Sequence, residues 1–294
     1  MNFSECLKGK KPILLDGAMG TELQRRGVPT KLPLWSAQAL IDHPEVVQQI
    51  HQEYLEAGAE IITTNTFRTN VRTVKRAQIG QSAQELTRIA VELAQQACLR
   101  SQKAAFIAGS VAPVEDCYRP DLVPSDSELE EEHSLLAKYL KKSGVDLILV
   151  ETMNTIREAA IATQASLETG LPVLISLTIG KDGHLLSGET LEEAATTLSR
   201  LGPSALLLNC FSPTLSVDAL KTLIEVTSLP TGLYVNGLGQ PDDGQGWRFS
   251  GEEKIEEYVS YAQEWLRLGA KIIGGCCGTT PEYTARLRRL IDSR

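Results

Sequence analysis

Short apolar runs alternate along the chain with longer stretches in which apolar residues recur every three or four positions. The runs fall at 13–19, 60–67, 104–111, 145–153, 172–178, 205–210, 231–235 and 271–275. Most are continuous in Ile, Val, Leu and Thr, as in Leu147-Ile148-Leu149-Val150, rather than alternating with polar residues. Strands buried on both faces have this pattern, as in a parallel sheet covered by helices. The intervening stretches read as helices. Within 253–268, Ile255, Tyr258, Val259, Ala262, Trp265 and Leu266 form one stripe at i, i+3, i+4 spacing. Gly58, Gly144, Gly170, Gly202 and Gly269 each stand between a helical stretch and the next run, where helices commonly end on a left-handed residue.

Eight strand–helix units in 294 residues average about 37 residues each, the unit size of a (β/α)₈ barrel. No linker or low-complexity segment interrupts them, so residues 1–294 read as a single barrel domain. An open doubly wound sheet fits less well, because Gly17-Ala18-Met19-Gly20 is a poor substitute for a glycine-rich phosphate turn.

A net charge of −8 argues against a nucleic-acid footprint or a polybasic membrane patch. No apolar run approaches the ~18 residues of a spanning helix, and the first residues lack the apolar core of a signal peptide. Six Cys in a chain of this length do not resemble a disulfide framework, which favours a cytoplasmic location.

A barrel places its chemistry at the C-terminal ends of its strands. The polar residues falling there are Asp16-Gly17, Thr64-Asn65-Thr66, Glu151, Asn209-Cys210, Asn236-Gly237 and Cys276-Cys277. Successive residues of a regular strand point to opposite faces. Cys276 and Cys277 can therefore share a ligand only where the strand gives way to a turn, and Gly274, Gly275 and Gly278 supply one. With Cys210 they make a three-thiol set suited to zinc with one coordination position open. A redox dithiol and a purely structural role are the alternatives. Three thiolates keep a fourth sulfur electron-rich, so such a site suits alkylation of a substrate thiol rather than activation of water.

Glu151 and Asp16 are candidates for a substrate ammonium, with a strand-end ion pair and a turn as their ordinary roles. A substrate carboxylate would meet backbone N–H groups around Gly17 to Met19, or the Thr64 and Thr66 hydroxyls. His43, His51, His133 and His184 read as surface or capping residues. The acidic run 128–132 reads as the solvated start of a helix. Cys98 reads as core, Cys6 as terminal, and Cys117 as a loop residue away from the site. Trp35 and Trp247 are either loop packing or a face for a cationic methyl donor.

The segments LLDGAMGTEL (14–23), EIITTNTF (60–67), VETM (150–153), LLLNC (206–210), YVNGLG (234–239) and GGCCGTTP (274–281) together resemble the homocysteine S-methyltransferase family. The resemblance runs through essentially the whole chain in order. It implies zinc held by Cys210, Cys276 and Cys277, with the homocysteine thiolate in the fourth place and Asn236 or water there at rest. It implies a homocysteine head bound by residues matching Asp16, Gly17, Thr64 and Glu151. The expected partners are homocysteine and a small methyl donor, with no nucleic acid and no membrane. The chain has no room for cobalamin- or folate-binding domains, so a self-contained donor is expected. S-methylmethionine ranks first, S-adenosylmethionine second, and betaine or another onium compound third. A zinc-storing barrel and a vicinal-dithiol redox protein are the rivals from other classes.

Overall fold

The computed structural model describes residues 2–242, 246–248 and 252–294. Eight strands form one sheet: β1 (Ile13–Leu14), β2 (Ile61–Thr63), β3 (Phe106–Val111), β4 (Leu147–Met153), β5 (Val173–Leu177), β6 (Ala205–Asn209), β7 (Thr231–Val235) and, after a hairpin, β10 (Ile272–Gly275). The hairpin is β8 (Gln240–Asp242) and β9 (Gly246–Arg248). The large sheet is parallel throughout, in the order β1-β10-β7-β6-β5-β4-β3-β2. A parallel bridge between Leu15 and Ile61 joins its two edges, so the sheet closes on itself. Helices connect the strands and surround them, as the alternation predicts for a (β/α)₈ barrel.

The continuous apolar runs fill two cores at once. Leu147 and Leu149 of β4 point into the barrel with Leu15, Ile61, Leu174, Leu207 and Ile272, while Ile148 and Val150 face the helices. The N-terminal helix Phe3–Lys8 plugs the barrel's lower end through Phe3 and Leu7, Phe3 meeting Phe106 edge-on at 5.2 Å. The helix expected over 253–268 spans Glu252–Arg267, with Tyr258, Ala262 and Trp265 fully buried. The five glycines expected at helix ends all have φ between +73° and +102°.

The first two strands are shorter than their apolar runs. After Leu15 the chain bends into a turn, and after Thr63 the Thr64–Thr66 segment bonds to itself, Thr66 N–H donating to Thr64 C=O at 2.8 Å. Polar residues that leave the ladder early are thereby brought to the barrel mouth. Two histidines differ from expectation. His51 and His133 are fully buried rather than at the surface. His51 shares the inward stripe of helix Pro44–Glu56 with Val47, Ile50 and Tyr54. His133 lies on the buried face of helix Asp126–Ser143, with Nε2 3.1 Å from Glu158 Oε1. The acidic run does begin that helix, where Glu128 closes a capping box with Ser125.

Candidate metal centre and substrate cavity

The strand ends open into one cavity of about 560 Å³, whose lining includes Asp16, Gly17, Thr64, Glu151, Cys210, Cys276 and Cys277. Asn236 is not part of that lining. The turns after β1 and β10 are fastened to each other. Gly275 N–H donates to Asp16 C=O, Gly278 N–H to Thr21 Oγ1, and Ala18 N–H to Thr279 Oγ1. Tyr54 Oη donates to Ala18 C=O at 3.0 Å. Gly17 is required by this close fit, since a Cβ there would lie 2.7 Å from Tyr54 Oη and 2.8 Å from Thr279 Oγ1.

The β10 strand ends at Gly275, and the chain turns through Cys276 and Cys277 to Gly278, whose φ is +75°. The expected turn thus brings both thiols to one side. Cys210 follows β6 with φ +62°, a left-handed conformation uncommon outside Gly, Asn and Asp. The three sulfurs lie within 4.8 Å of one another, with Cys210 Sγ and Cys277 Sγ 3.9 Å apart. Zinc–sulfur bonds of ~2.3 Å in a tetrahedron space sulfurs by about 3.8 Å. The donor set therefore fits a thiophilic ion.

Protonation supports the same conclusion. Hydrogen bonds from Cys276 and Cys277, with Tyr118 Oη at 3.0 Å, hold the Cys210 thiol well below its usual range. Cys276 and Cys277 are pushed well above it, first because each hydrogen-bonds to Cys210, then through burial and the nearby Cys210 charge. A further fitting feature is Asn236 Oδ1, which is buried without a hydrogen-bond partner. The backbone of Asn236 is held between Phe211 and the Cys276–Cys277 turn, its N–H donating to Phe211 C=O while Gly237 N–H donates to Cys277 C=O.

Asp16 and Glu151 are both buried carboxylates. Burial raises Asp16 to about 8, against the lowering effect of bonds from Thr63 N–H (2.7 Å) and Thr63 Oγ1 (3.0 Å). Burial raises Glu151 to about 7, although Ser110 Oγ donates at 2.5 Å and Tyr234 Oη at 3.2 Å. Neither has a cationic partner among the described residues, which excludes the strand-end ion pair. Glu151 reaches the cavity because β4 carries a register shift between Val150 and Met153. Bulges re-aim side chains in this way. Thr152 sits there at φ +59°, and Asn209 holds it. Asn209 Oδ1 accepts Thr152 N–H at 3.0 Å, and its Nδ2 donates to Thr152 Oγ1 at 2.8 Å.

Thr64 lines the cavity, but its hydroxyl already bonds Ser110 N–H and Thr66 Oγ1, and Thr66 points away to Ser110 C=O. Among the described residues, Gly17 N–H and Met19 N–H have no protein acceptor, and both residues line the cavity. Trp35 also lines the cavity, edge-on to Phe67 at 5.7 Å. Trp247 is buried against Gly278. Four residues escaped the sequence reading. Cys117 is buried in the cavity wall, not remote from it, and Tyr118 touches Cys210. Ser110 and Tyr234 lie inside apolar strands, and nothing in their spacing marks them as partners of Glu151.

The family model for homocysteine S-methyltransferase matches residues 13–291. A homocysteine S-methyltransferase of Escherichia coli (strain K12) is 33% identical, the match covering 94% of each chain. Homocysteine S-methyltransferase 3 of Zea mays is 30% identical over 95% of this chain and 90% of its own. In three dimensions the metallated form of the E. coli homocysteine methyltransferase MmuM superposes with a TM-score of 0.83 at 28% identity, covering 97% and 98% of the two chains. Among the described residues no helix is long and apolar enough to cross a membrane. With the motif order, the barrel and the three-thiol mouth all in agreement, the chain belongs to the homocysteine S-methyltransferase family and is a methyltransferase of that kind.

Proposed function

We propose that the protein transfers a methyl group from a sulfonium donor, S-methylmethionine first and S-adenosylmethionine second, to the thiolate of homocysteine, forming methionine. Betaine ranks third. The observation that carries this reading is one cavity holding three convergent thiols and two buried carboxylates with no cationic partner among the described residues. Cys210, Cys276 and Cys277 would hold zinc, with Asn236 as the resting fourth ligand. Bound there, zinc would lower the pKa of the substrate thiol that takes the open position.

The chain's own residues supply the rest. Asp16 and Glu151 receive the homocysteine ammonium, which replaces the water these buried carboxylates have lost. Gly17 N–H and Met19 N–H receive its carboxylate, and Thr64 closes the wall behind it. This fixes the sulfur toward the thiol cluster. Trp35 and Phe67 offer aromatic faces to a sulfonium and keep water from it. The thiolate sulfur attacks the methyl carbon in line, and the carbon–sulfonium bond breaks with its electron pair staying on the departing thioether. Opposite charges disappear in this step, so a partly apolar cavity favours it over water.

We place the whole of residues 1–294 in one functional domain, acting on small molecules in the cytoplasm. The six unpaired thiols support a reducing compartment. The test is methionine formation from homocysteine with S-methylmethionine, S-adenosylmethionine or betaine, alongside metal analysis of the purified protein. Methionine from the first of these with about one zinc per chain is the expected result. No methionine from any donor would end the proposal.

A further inference from the structure

Arg68 is a buried cation in the cavity wall that lacks an anionic partner among the described residues. It is 8% exposed and lines the cavity just beyond Phe67, with its guanidinium carbon 5.6 Å from that ring's centroid. Nη1 donates to Glu115 C=O at 2.7 Å. Nε is buried with no partner, and Nη2 makes no hydrogen bond to the described protein. These two atoms form the side-on edge of a guanidinium, which matches the two oxygens of a carboxylate. The same edge is used elsewhere in this chain. Arg25 presents Nε and Nη2 to Glu22, Arg119 to Asp121, and Arg288 to Asp292. At Arg68 that edge meets no carboxylate among the described residues, although a buried unpaired charge is costly.

We propose that Arg68 is a specificity-determining residue that receives the carboxylate of the methyl donor on this Nε–Nη2 edge. The inference rests on the methyl-transfer reading above. Homocysteine does not need this group, because Gly17 N–H and Met19 N–H already face its carboxylate in that reading. Arg68 belongs instead to the wall formed by Phe67 and the 112–118 loop. Glu115 ties it to that loop, which also carries Tyr118 against Cys210. A donor with its sulfonium against Trp35 and Phe67 would therefore have its carboxylate beside Arg68. The uncompensated cation also repels a cationic donor lacking that carboxylate, which selects by rejection as well as by attraction.

The test compares S-methylmethionine with (3-aminopropyl)dimethylsulfonium, the same molecule with hydrogen in place of the carboxylate. In Arg68→Gln, kcat/KM for S-methylmethionine should fall about 10- to 100-fold, the range for a lost charge-assisted pair. For the carboxylate-free donor it should hold or rise, and KM for homocysteine should stay constant. Arg68→Lys keeps a donor for Glu115 C=O and the positive charge, and should recover only part of the loss. Equal losses with both donors would show that Arg68 only braces the loop, leaving the methyl-transfer reading intact and overturning this one. A rise in the homocysteine KM with no change in donor KM would overturn it too. A wild type that methylates homocysteine with neither donor would overturn this inference; only failure with S-adenosylmethionine and betaine as well would remove the methyl-transfer reading.

Discussion

Replacing Glu151 by Gln removes one charge and keeps the side chain's shape, so it separates binding from folding. The amide oxygen can still accept from Ser110, and the amide nitrogen can face Tyr234 Oη. Burial raises the folded-state pKa of Glu151 from 4.5 to about 7. A raised carboxylate contributes stability that is fully present below about pH 4.5 and lost as pH rises through about 7. Above pH 7 the buried charge opposes folding by roughly 3 kcal/mol, from about 2.5 pKa units at 1.36 kcal/mol each. Glu151→Gln should therefore be more stable than wild type at pH 8 by up to that amount, and close to it at pH 4.5. Binding should move the other way. Losing a charge-assisted bond to the homocysteine ammonium costs about 1.5–3 kcal/mol, which raises KM for homocysteine about 10- to 150-fold at pH 8. In the wild type, homocysteine must displace a proton from Glu151 below about pH 7, so the ratio of the two KM values should narrow as pH falls. Chemical denaturation at both pH values, homocysteine kinetics and zinc content give the full comparison. A variant that is less stable at pH 8, or that loses zinc in step with homocysteine affinity, would refute the reasoning.

Asn209→Ala should release the β4 bulge by stripping partners from Thr152 and Ser176, lowering stability by on the order of 3 kcal/mol. It should also raise the homocysteine KM through displacement of Glu151; an unchanged KM would show that the bulge holds itself. His51, buried without a partner, is lowered by burial from 6.5 to about 4. A depressed histidine loses stability as pH falls from the unfolded to the folded value. Wild type should thus lose on the order of 3 kcal/mol between pH 6.5 and 4 that His51→Leu does not lose, and parallel denaturation profiles would contradict this.

The barrel was legible because its strands are buried on both faces, leaving eight continuous apolar runs with little ambiguity. The thiol cluster was legible because Cys276-Cys277 lies among glycines at a strand end, where only a turn can use both side chains. Other parts of the site depend on packing that no local pattern records. The 112–118 loop is tied down by distant residues: Glu158 Oε1 accepts Val114 N–H, Asn154 Nδ2 donates to Cys117 C=O, and Arg68 holds Glu115 C=O. Cys117 and Tyr118 reach the cavity through those ties, so a lone Cys in a loop gave no hint of its position. The bulge that aims Glu151 is likewise set by Asn209 across the sheet. His51 is different, since its spacing with Val47, Ile50 and Tyr54 already marked an inward face, and its polarity outweighed that sign.

The central claim is that Cys210, Cys276 and Cys277 together hold one zinc ion and leave it room for a substrate sulfur. X-ray absorption at the zinc edge of the purified protein tests this most directly. Three sulfurs at ~2.3 Å with one lighter neighbour are predicted for the protein alone, and four sulfurs after homocysteine is added. An active protein with fewer than three sulfurs around zinc, or with no zinc, would contradict the account.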